Sequence, residues 1–168
     1  MKNTVIIYGS TTGTTENVAH KLAKFMGVDE KDVVDVKNIA PSQLGNYDNI
    51  IAGSSTWGSG ELQDDWFDFV DGLKALDLPG KKVAIFGCGD ETMGDTFCGA
   101  VATLYEAFKS TGATMVGAFD IVGYDVTSTP AEIDGTIVGL LLDEVNHPEA
   151  TDLRLRKWAQ LLTDEFAK

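Results

Sequence analysis

The stretch VIIYGSTTGTT, from Val5 to Thr15, decides how the rest of the chain is organised. Its first four residues are apolar and rich in β-branched and aromatic side chains, which is typical of a buried strand. Gly9 ends this run, and from about Thr15 apolar residues recur at three- and four-residue steps, which predicts a helix. A strand, a glycine- and hydroxyl-rich turn and a helix aim backbone N–H groups and a positive helix dipole at one point. The turn therefore suits a phosphate group.

The chemistry of this turn limits which phosphate it suits. No Lys or Arg lies between Val5 and His20, so the lysine that a nucleoside-triphosphate loop places on the outer phosphates is missing. The dinucleotide fingerprint G-x-G-x-x-G is absent as well. We therefore predict one monoester phosphate, held by backbone amides and hydroxyls. The alternative is a Ser/Thr-rich turn that only caps a helix.

Length and residue usage suit one domain that spans residues 1–168. The N-terminus enters a strand at once, which predicts no signal peptide, and no apolar run approaches the length of a membrane span. Cys88 and Cys98 are too few for a disulfide framework and predict free thiols in a cytoplasmic protein. His20 and His147 lie far apart and form no ligand pair with the cysteines, so we predict neither a metal site nor a Cys–His nucleophile.

The charge is strongly acidic: 13 Lys and Arg residues stand against 26 Asp and Glu residues, a net charge of −13. Such a surface repels nucleic acid and anionic lipid, so neither is an expected partner. It attracts a basic protein partner and speeds the encounter with it. The alternative reading is that acidity simply keeps a small protein in solution.

Strand patterns alternate with amphipathic helix patterns along the chain. The predicted strands are residues 5–8, 32–36, 49–53, 82–87 and a fifth from about residue 114. The predicted helices cover residues 15–26, 62–73, 97–108 and 151–166. Residues 118–136 do not show the pattern of a simple strand-to-helix crossover. An apolar run resumes at residues 137–142, which indicates an insertion that splits strand five. This alternation predicts an α/β fold, a doubly wound parallel sheet covered on both faces, with strand order 2-1-3-4-5.

In that order, ligands bind beyond the carboxyl ends of the strands, between strands one and three. The expected loops are residues 9–15, 54–60 and 88–95. Trp57 lies in the second loop, where no helical or strand period calls for an aromatic residue, and its indole can stack on an aromatic ligand. The alternative is a surface tryptophan in a flexible turn. Glycines of the third loop allow backbone N–H groups to approach a carbonyl-rich heterocycle, while its carboxylates are more typical of solvated loop charges.

Taken together, the three loops resemble those of the flavodoxins, specifically the long-chain type, over essentially the whole chain. Flavodoxins also typify the strand order 2-1-3-4-5. The resemblance is carried by residues 10–16, by 55–58 with 61–63, by 87–90 with 97–100, and by the apolar run 138–142 followed by Asp143 and Glu144. It implies a flavodoxin-like five-stranded fold and a non-covalently bound FMN.

The resemblance also implies a role for individual residues. Trp57 would stack on the isoalloxazine ring, and the Gly58 carbonyl would turn toward flavin N5 on reduction. Most of the family place a tyrosine on the outer flavin face, but none lies between Gly87 and Phe97, and Met93 stands nearest to that place. The cofactor-binding residues implied are Ser10, Thr11, Thr12, Gly13, Thr14 and Thr15 for the phosphate, Ser55, Thr56, Trp57, Gly58 and Gly60 for the inner side, Cys88, Gly89, Asp90, Met93, Phe97 and Cys98 for the outer loop, and Asn146 near the ribityl chain.

The resemblance implies a low-potential one-electron carrier that shuttles between semiquinone and hydroquinone and has no catalytic residues or substrate of its own. Its partners would be basic-faced redox proteins, both reductases and low-potential acceptors, and it would act as a monomer. One alternative is an FMN-dependent NAD(P)H:quinone reductase of the same fold. Another is a phospho-acceptor receiver domain, which needs paired acidic residues directly after strand one, where this chain has Gly9 and Ser10.

Overall fold

A parallel β-sheet forms the centre of the molecule in the computed structural model, which describes residues 3–168. The strands are β1 Thr4–Gly9, β2 Val33–Asp35, β3 Asn49–Trp57, β4 Glu61–Leu62, β5 Lys82–Cys88, β6 Thr114–Val116, β7 Glu132–Ile133, β8 Thr136–Ile137 and β9 Leu140–Leu142. The helices are α1 Thr14–Met26, α2 Trp66–Leu73, α3 Gly99–Lys109 and α4 Pro148–Ala167. Among the described residues, no helix combines the length and the apolar character that a membrane crossing requires.

The order of the main strands is β2-β1-β3-β5-β6, and these neighbours pair in parallel. Both β6 and β9 pair with β5: β6 lies along residues 82–84 and β9 along residues 86–88. They are therefore two halves of one fifth strand, separated by the insertion. The predicted order 2-1-3-4-5 and the split of strand five are confirmed, with β5 as the fourth strand.

Successive residues of the buried strands face opposite sides of the sheet. In β1, Val5 and Ile7 pack into the apolar cluster that α2 and α3 cover. Ile6 and Tyr8 pack into the cluster that α1 and α4 cover. Because both faces are buried, these strands read as continuous apolar runs instead of alternating ones. The helices cover both faces of the sheet. The connecting loops lie at its carboxyl edge.

The prediction of a loop over residues 54–60 is wrong in its first half. Ser54 and Ser55 continue to pair with β5, and Thr56 and Trp57 pair with Leu62 and Glu61 of β4 in a short antiparallel hairpin. Backbone pairing on both sides therefore keeps the chain extended as far as Trp57. For the same reason Leu62 belongs to a strand, and α2 begins only at Trp66.

Other element boundaries differ from the sequence patterns by a few residues. A short 3₁₀ helix at Pro41–Asn46 lies between the second and third predicted strands, and another at Glu91–Thr96 occupies most of the predicted loop 88–95. Phe97 lies before α3, not within it, because Cys98 takes a left-handed conformation at the helix start. The last helix begins at Pro148, three residues earlier than predicted, since proline is well tolerated in a first helical turn.

A buried cation on α4 helps to attach the insertion, residues 118–136, to the rest of the fold. The Arg154 guanidinium on α4 donates to the carbonyl oxygens of Asp120 at 2.6 Å, Val122 at 3.5 Å and Leu141 at 3.2 Å. It also lies 4.6 Å from the ring centroid of Tyr124. Arginine suits this position because its planar fork presents several donors at once while its face stacks on an aromatic ring.

Candidate functional site

A cavity of about 290 Å³ opens at the carboxyl edge of the sheet, between the ends of β1, β3 and β5. This is where parallel sheets with this strand order bind ligands. Twelve of the residues implied by the resemblance line it: Thr12, Thr14, Ser55, Thr56, Trp57, Gly58, Cys88, Gly89, Asp90, Met93, Phe97 and Cys98. The fold thus gathers three separate segments of sequence around one space.

One end of the cavity is the N-terminus of α1. The first N–H groups of a helix have no partner within it, and Gly13 at the N-cap has no side chain to satisfy them. The turn is held in shape because the Gly13 N–H donates to the Ser10 hydroxyl oxygen at 3.1 Å. Thr12 and Thr14 add hydroxyls to the lining. This end of the cavity offers only neutral donors and the positive end of a helix dipole, a combination that binds anions.

The other end of the cavity presents an aromatic face on the β3–β4 hairpin. The Trp57 side chain is 43% exposed, which is unusual for an indole. Its Nε1–H donates to the Ser55 hydroxyl oxygen at 2.8 Å, so the ring is held at the cavity while its face stays open. The hairpin turn has positive φ at Gly58 and Gly60, 53° and 94°. Gly60 packs so closely against α3 that a Cβ on Gly99 would come within 2.7 Å of its carbonyl oxygen.

The outer loop is fixed by the buried carboxylate of Asp143. One of its oxygens accepts from the N–H groups of Val145 and Asn146, and the other accepts from the Glu91 N–H and the Asn146 side-chain amide. The same amide donates to Asp90 at 2.8 Å. Asn146 therefore lies behind the cavity wall and positions Asp90, which does line the cavity.

Glu91 connects this outer loop to the insertion and to α4. One carboxylate oxygen accepts from the Asp125 N–H at 2.8 Å, and the other lies 2.8 Å from Nε2 of His147. The hydrogen bond to Glu91, with a weaker contribution from Glu149, raises the pKa of His147. Ligand atoms of Glu91, Asp143 and His147 lie within 4.8 Å of one another, a grouping that the sequence did not predict. The hydrogen bond between Glu91 and His147 and the backbone N–H groups that donate to Asp143 explain why these three side chains lie close together.

The two thiols form part of the cavity floor and are buried. Burial raises the pKa of Cys88 to about 12 and raises the pKa of Cys98 as well. A thiolate is the nucleophilic form of cysteine, so both residues are neutral and unreactive at physiological pH. They act as small apolar surfaces.

The charge around the cavity is negative. Among the described residues that line it, none is a Lys, Arg or His, while Asp90 and Glu144 carry carboxylates. Hydrogen bonds lower the pKa of Asp90 and keep its carboxylate ionised. The largest contributions come from the side chain and backbone of Thr92, and a smaller one comes from the Asn146 side chain. Additional negative charge on a ligand in this cavity is therefore disfavoured.

Six of the residues implied by the resemblance do not line the cavity. Thr15 is buried, Thr11 is exposed beside the turn, and the remaining four shape the surrounding backbone: Ser10, Gly13, Gly60 and Asn146. Three residues that were not predicted do line it, namely Thr96, Glu144 and Val145. Glu144 and Val145 follow the second half of strand five, and the carboxyl end of that strand reaches the same edge of the sheet.

Comparison with known proteins agrees with this geometry. The profile of the family described as flavodoxin matches residues 6–158. A flavodoxin of Haemophilus influenzae is 40% identical over 163 residues, which cover 96% of this chain and 94% of that protein. Flavodoxin 1 of Escherichia coli strain K12 is 40% identical over 168 residues, which cover 99% of this chain and 96% of that protein.

The fold is also similar to that of a solved structure, again over nearly the whole chain. The crystal structure of a Fusobacterium nucleatum flavodoxin bound to flavin mononucleotide superposes with a TM-score of 0.89 at 30% identity, covering 99% of both chains. Sequence and fold therefore agree over nearly the whole chain. The chain belongs to the flavodoxin family.

Proposed function

We propose that the cavity holds FMN and that the protein is a low-potential one-electron carrier. One observation carries this proposal: a single cavity joins an uncapped helix N-terminus to an exposed indole face, without a positively charged side chain among its described lining residues. The first end suits one terminal phosphate and the second suits a flat heterocycle. That the related Fusobacterium nucleatum protein was solved with flavin mononucleotide supports the choice of ligand.

The residues present fit that cofactor. The N–H groups at the start of α1, with Thr12 and Thr14, would hold the phosphate, and Trp57 would lie against the ring. Gly89 would bring its backbone close to the ring edge, and a Cβ at this position would crowd Cys98 at 3.0 Å. Bound FMN supplies the ability to store and release single electrons. The protein binds it, orients it and shields its inner face.

The charged side chains of the cavity favour a low reduction potential. Asp90 and Glu144 face the cavity, and no lining cation compensates for them or for the cofactor phosphate. An electron that arrives without a proton would make the cofactor more negative, so these carboxylates would oppose full reduction. The neutral thiols offer no nucleophile for a substrate reaction. Flavodoxins transfer electrons and are not enzymes, and the comparisons do not favour the quinone-reductase alternative.

We also propose what kind of partner the protein meets, its oligomeric state and its location. As a flavodoxin, the chain exchanges electrons with other redox proteins. The net charge of −13 supports partners with a basic face, and we propose that the protein meets them as a monomer with one domain over residues 1–168. The two free thiols support a cytoplasmic location.

Titration of the apoprotein with flavins tests the function directly. FMN should bind much more tightly than riboflavin, because only FMN carries the terminal phosphate, and the loaded protein should catalyse no NADPH-dependent quinone reduction by itself. Equal affinity for FMN and riboflavin would contradict the phosphate assignment. Rapid NADPH:quinone turnover would contradict the carrier assignment.

A further inference from the structure

We propose that Gln63 is a positioning residue for the phosphate-binding turn: its side-chain amide fixes the Thr11 hydroxyl as a hydrogen-bond donor toward the phosphate. This inference rests on the proposed function, because it assumes a phosphate at the start of α1. Gln63 is only 3% exposed and does not line the cavity itself. It follows β4 directly and lies between the hairpin that carries Trp57 and the turn after β1.

Three hydrogen bonds determine the orientation of Gln63. Its backbone N–H donates to the Ser54 hydroxyl oxygen at 3.1 Å, which fixes the residue to β3. Its Oε1 accepts from the Asp65 N–H at 3.0 Å, and its Nε2 donates to the Asp65 carboxylate at 2.8 Å. A backbone N–H can only donate, so the oxygen end of the amide must face it. The NH₂ end is thereby directed at Thr11, where Nε2 lies 3.2 Å from Oγ1.

This contact determines what Thr11 can do. A hydroxyl has one proton and can accept at its lone pairs. Because Gln63 donates to it, Oγ1 already acts as an acceptor on its protein side, and its own proton points away from the amide. Thr11 is exposed beside the uncapped N-terminus of α1. The arrangement leaves its O–H as a further neutral donor for an anion, in a turn that has no cationic side chain.

The variant Gln63→Glu tests this arrangement with almost no change in shape. The introduced carboxylate would accept the Thr11 proton, so that Thr11 no longer donates to the phosphate, and it would add negative charge next to the turn. At about pH 8 we expect FMN affinity to fall by about tenfold or more, and riboflavin affinity by less than about twofold. Fluorescence titration of the apoprotein with each flavin measures both.

A pH series separates positioning from a merely structural effect. Among the described residues that form hydrogen bonds with Gln63, namely Thr11, Ser54, Asp65 and Trp66, only Asp65 is titratable. At about pH 5 the introduced carboxyl is protonated, because burial and Asp65 both disfavour its ionised form. Its negative charge is then lost, and its single O–H proton is shared between Asp65 and Thr11, so the donor to Thr11 returns in part. The ratio of FMN to riboflavin affinity, relative to the unaltered protein at the same pH, should recover at least about threefold toward its original value.

The control is Gln160→Glu, which makes the same charge change at an exposed amide bonded to Asp164 on α4 and should leave both affinities unchanged. If Gln63→Glu does not fold, Gln63→Leu tests the same contact and should lower FMN affinity alone. A loss that affects FMN and riboflavin equally, or one that does not respond to pH, would overturn the role of Gln63. If the unaltered protein does not prefer FMN over riboflavin, the proposed function itself fails.

Discussion

At the scale of the single residue, Gly58 carries the most specific conformational requirement of the site. Its φ of +53° lies in the left-handed region, and a Cβ there would approach the Glu61 carboxyl at 3.3 Å. The resemblance to flavodoxins implies that its carbonyl accepts a hydrogen bond from reduced flavin. Because φ is already positive in this conformation, a side chain is strained before any rearrangement begins, which the sequence alone did not reveal.

We predict that Gly58→Ala lowers the potential of the first one-electron step by an amount on the order of tens of millivolts, since its Cβ, 3.3 Å from the Glu61 carboxyl, hinders the rotation that brings the carbonyl to reduced flavin. The unfolding free energy should fall by about 1 kcal/mol because of the left-handed backbone. Gly80→Ala is the matched control, with a φ of +79° and open space around it. It should lose similar stability with no change in potential, and equal potentials in the two variants would refute the role of Gly58.

At the scale of the element, the 3₁₀ helix Glu91–Thr96, the insertion and the start of α4 meet at His147. The hydrogen bond to Glu91 is the main reason why the pKa of His147 is raised above its ordinary value. The folded state therefore holds this proton more tightly than the unfolded state. The stabilisation that follows is fully present below the unfolded pKa of about 6.5 and is lost as pH rises through the raised folded pKa.

We predict that His147→Gln destabilises the protein more at about pH 5.5 than at about pH 9. Urea unfolding of the unaltered protein and the variant at both pH values measures this difference. Glu91→Gln should remove most of the same pH dependence, because it removes the carboxylate partner. A destabilisation that is constant with pH would contradict the assignment.

Arg154 joins α4 to the insertion, and its loss should be costly. Arg154→Met keeps much of the volume but leaves the carbonyls of Asp120, Val122 and Leu141 without their donor. We predict a loss of about 2–4 kcal/mol in unfolding free energy, measured by chemical denaturation, and faster proteolysis within residues 118–136. Arg156→Met is the control, since the exposed Arg156 guanidinium lies over the Phe25 ring and should contribute less than about 1 kcal/mol. Similar losses in both variants would mean that Arg154 does not anchor the insertion.

At the scale of the whole molecule, the net charge of −13 should govern how the protein meets its partners. We predict that electron transfer to a cationic redox protein slows by about tenfold between low and high ionic strength, because salt screens the attraction. Stopped-flow mixing with a cationic acceptor and an anionic acceptor of similar size and potential measures this. Transfer to the anionic acceptor should not slow, and an identical salt response for both would show that charge does not steer the encounter.

Much of this architecture can be read from sequence because it depends on local patterns. The continuous apolar runs locate the buried strands, and the resumption of an apolar run after residue 136 reveals the split fifth strand. The β3–β4 hairpin was missed because Ser54 and Thr56 have small polar side chains, while their extended backbone is imposed by pairing with β5 and β4. The positions of Val145 and Gln63 likewise depend on contacts between distant segments, which no periodicity records.

When FMN is bound, this fold should make the protein a one-electron carrier of low potential. Spectroelectrochemical titration of the FMN-loaded protein tests it most directly, because the visible spectrum distinguishes the oxidised, one-electron-reduced and two-electron-reduced cofactor. We predict two separate one-electron steps, the second at the lower potential, since Asp90 and Glu144 oppose the final charge. A single two-electron step without a detectable one-electron-reduced species would show that the protein is not a one-electron carrier.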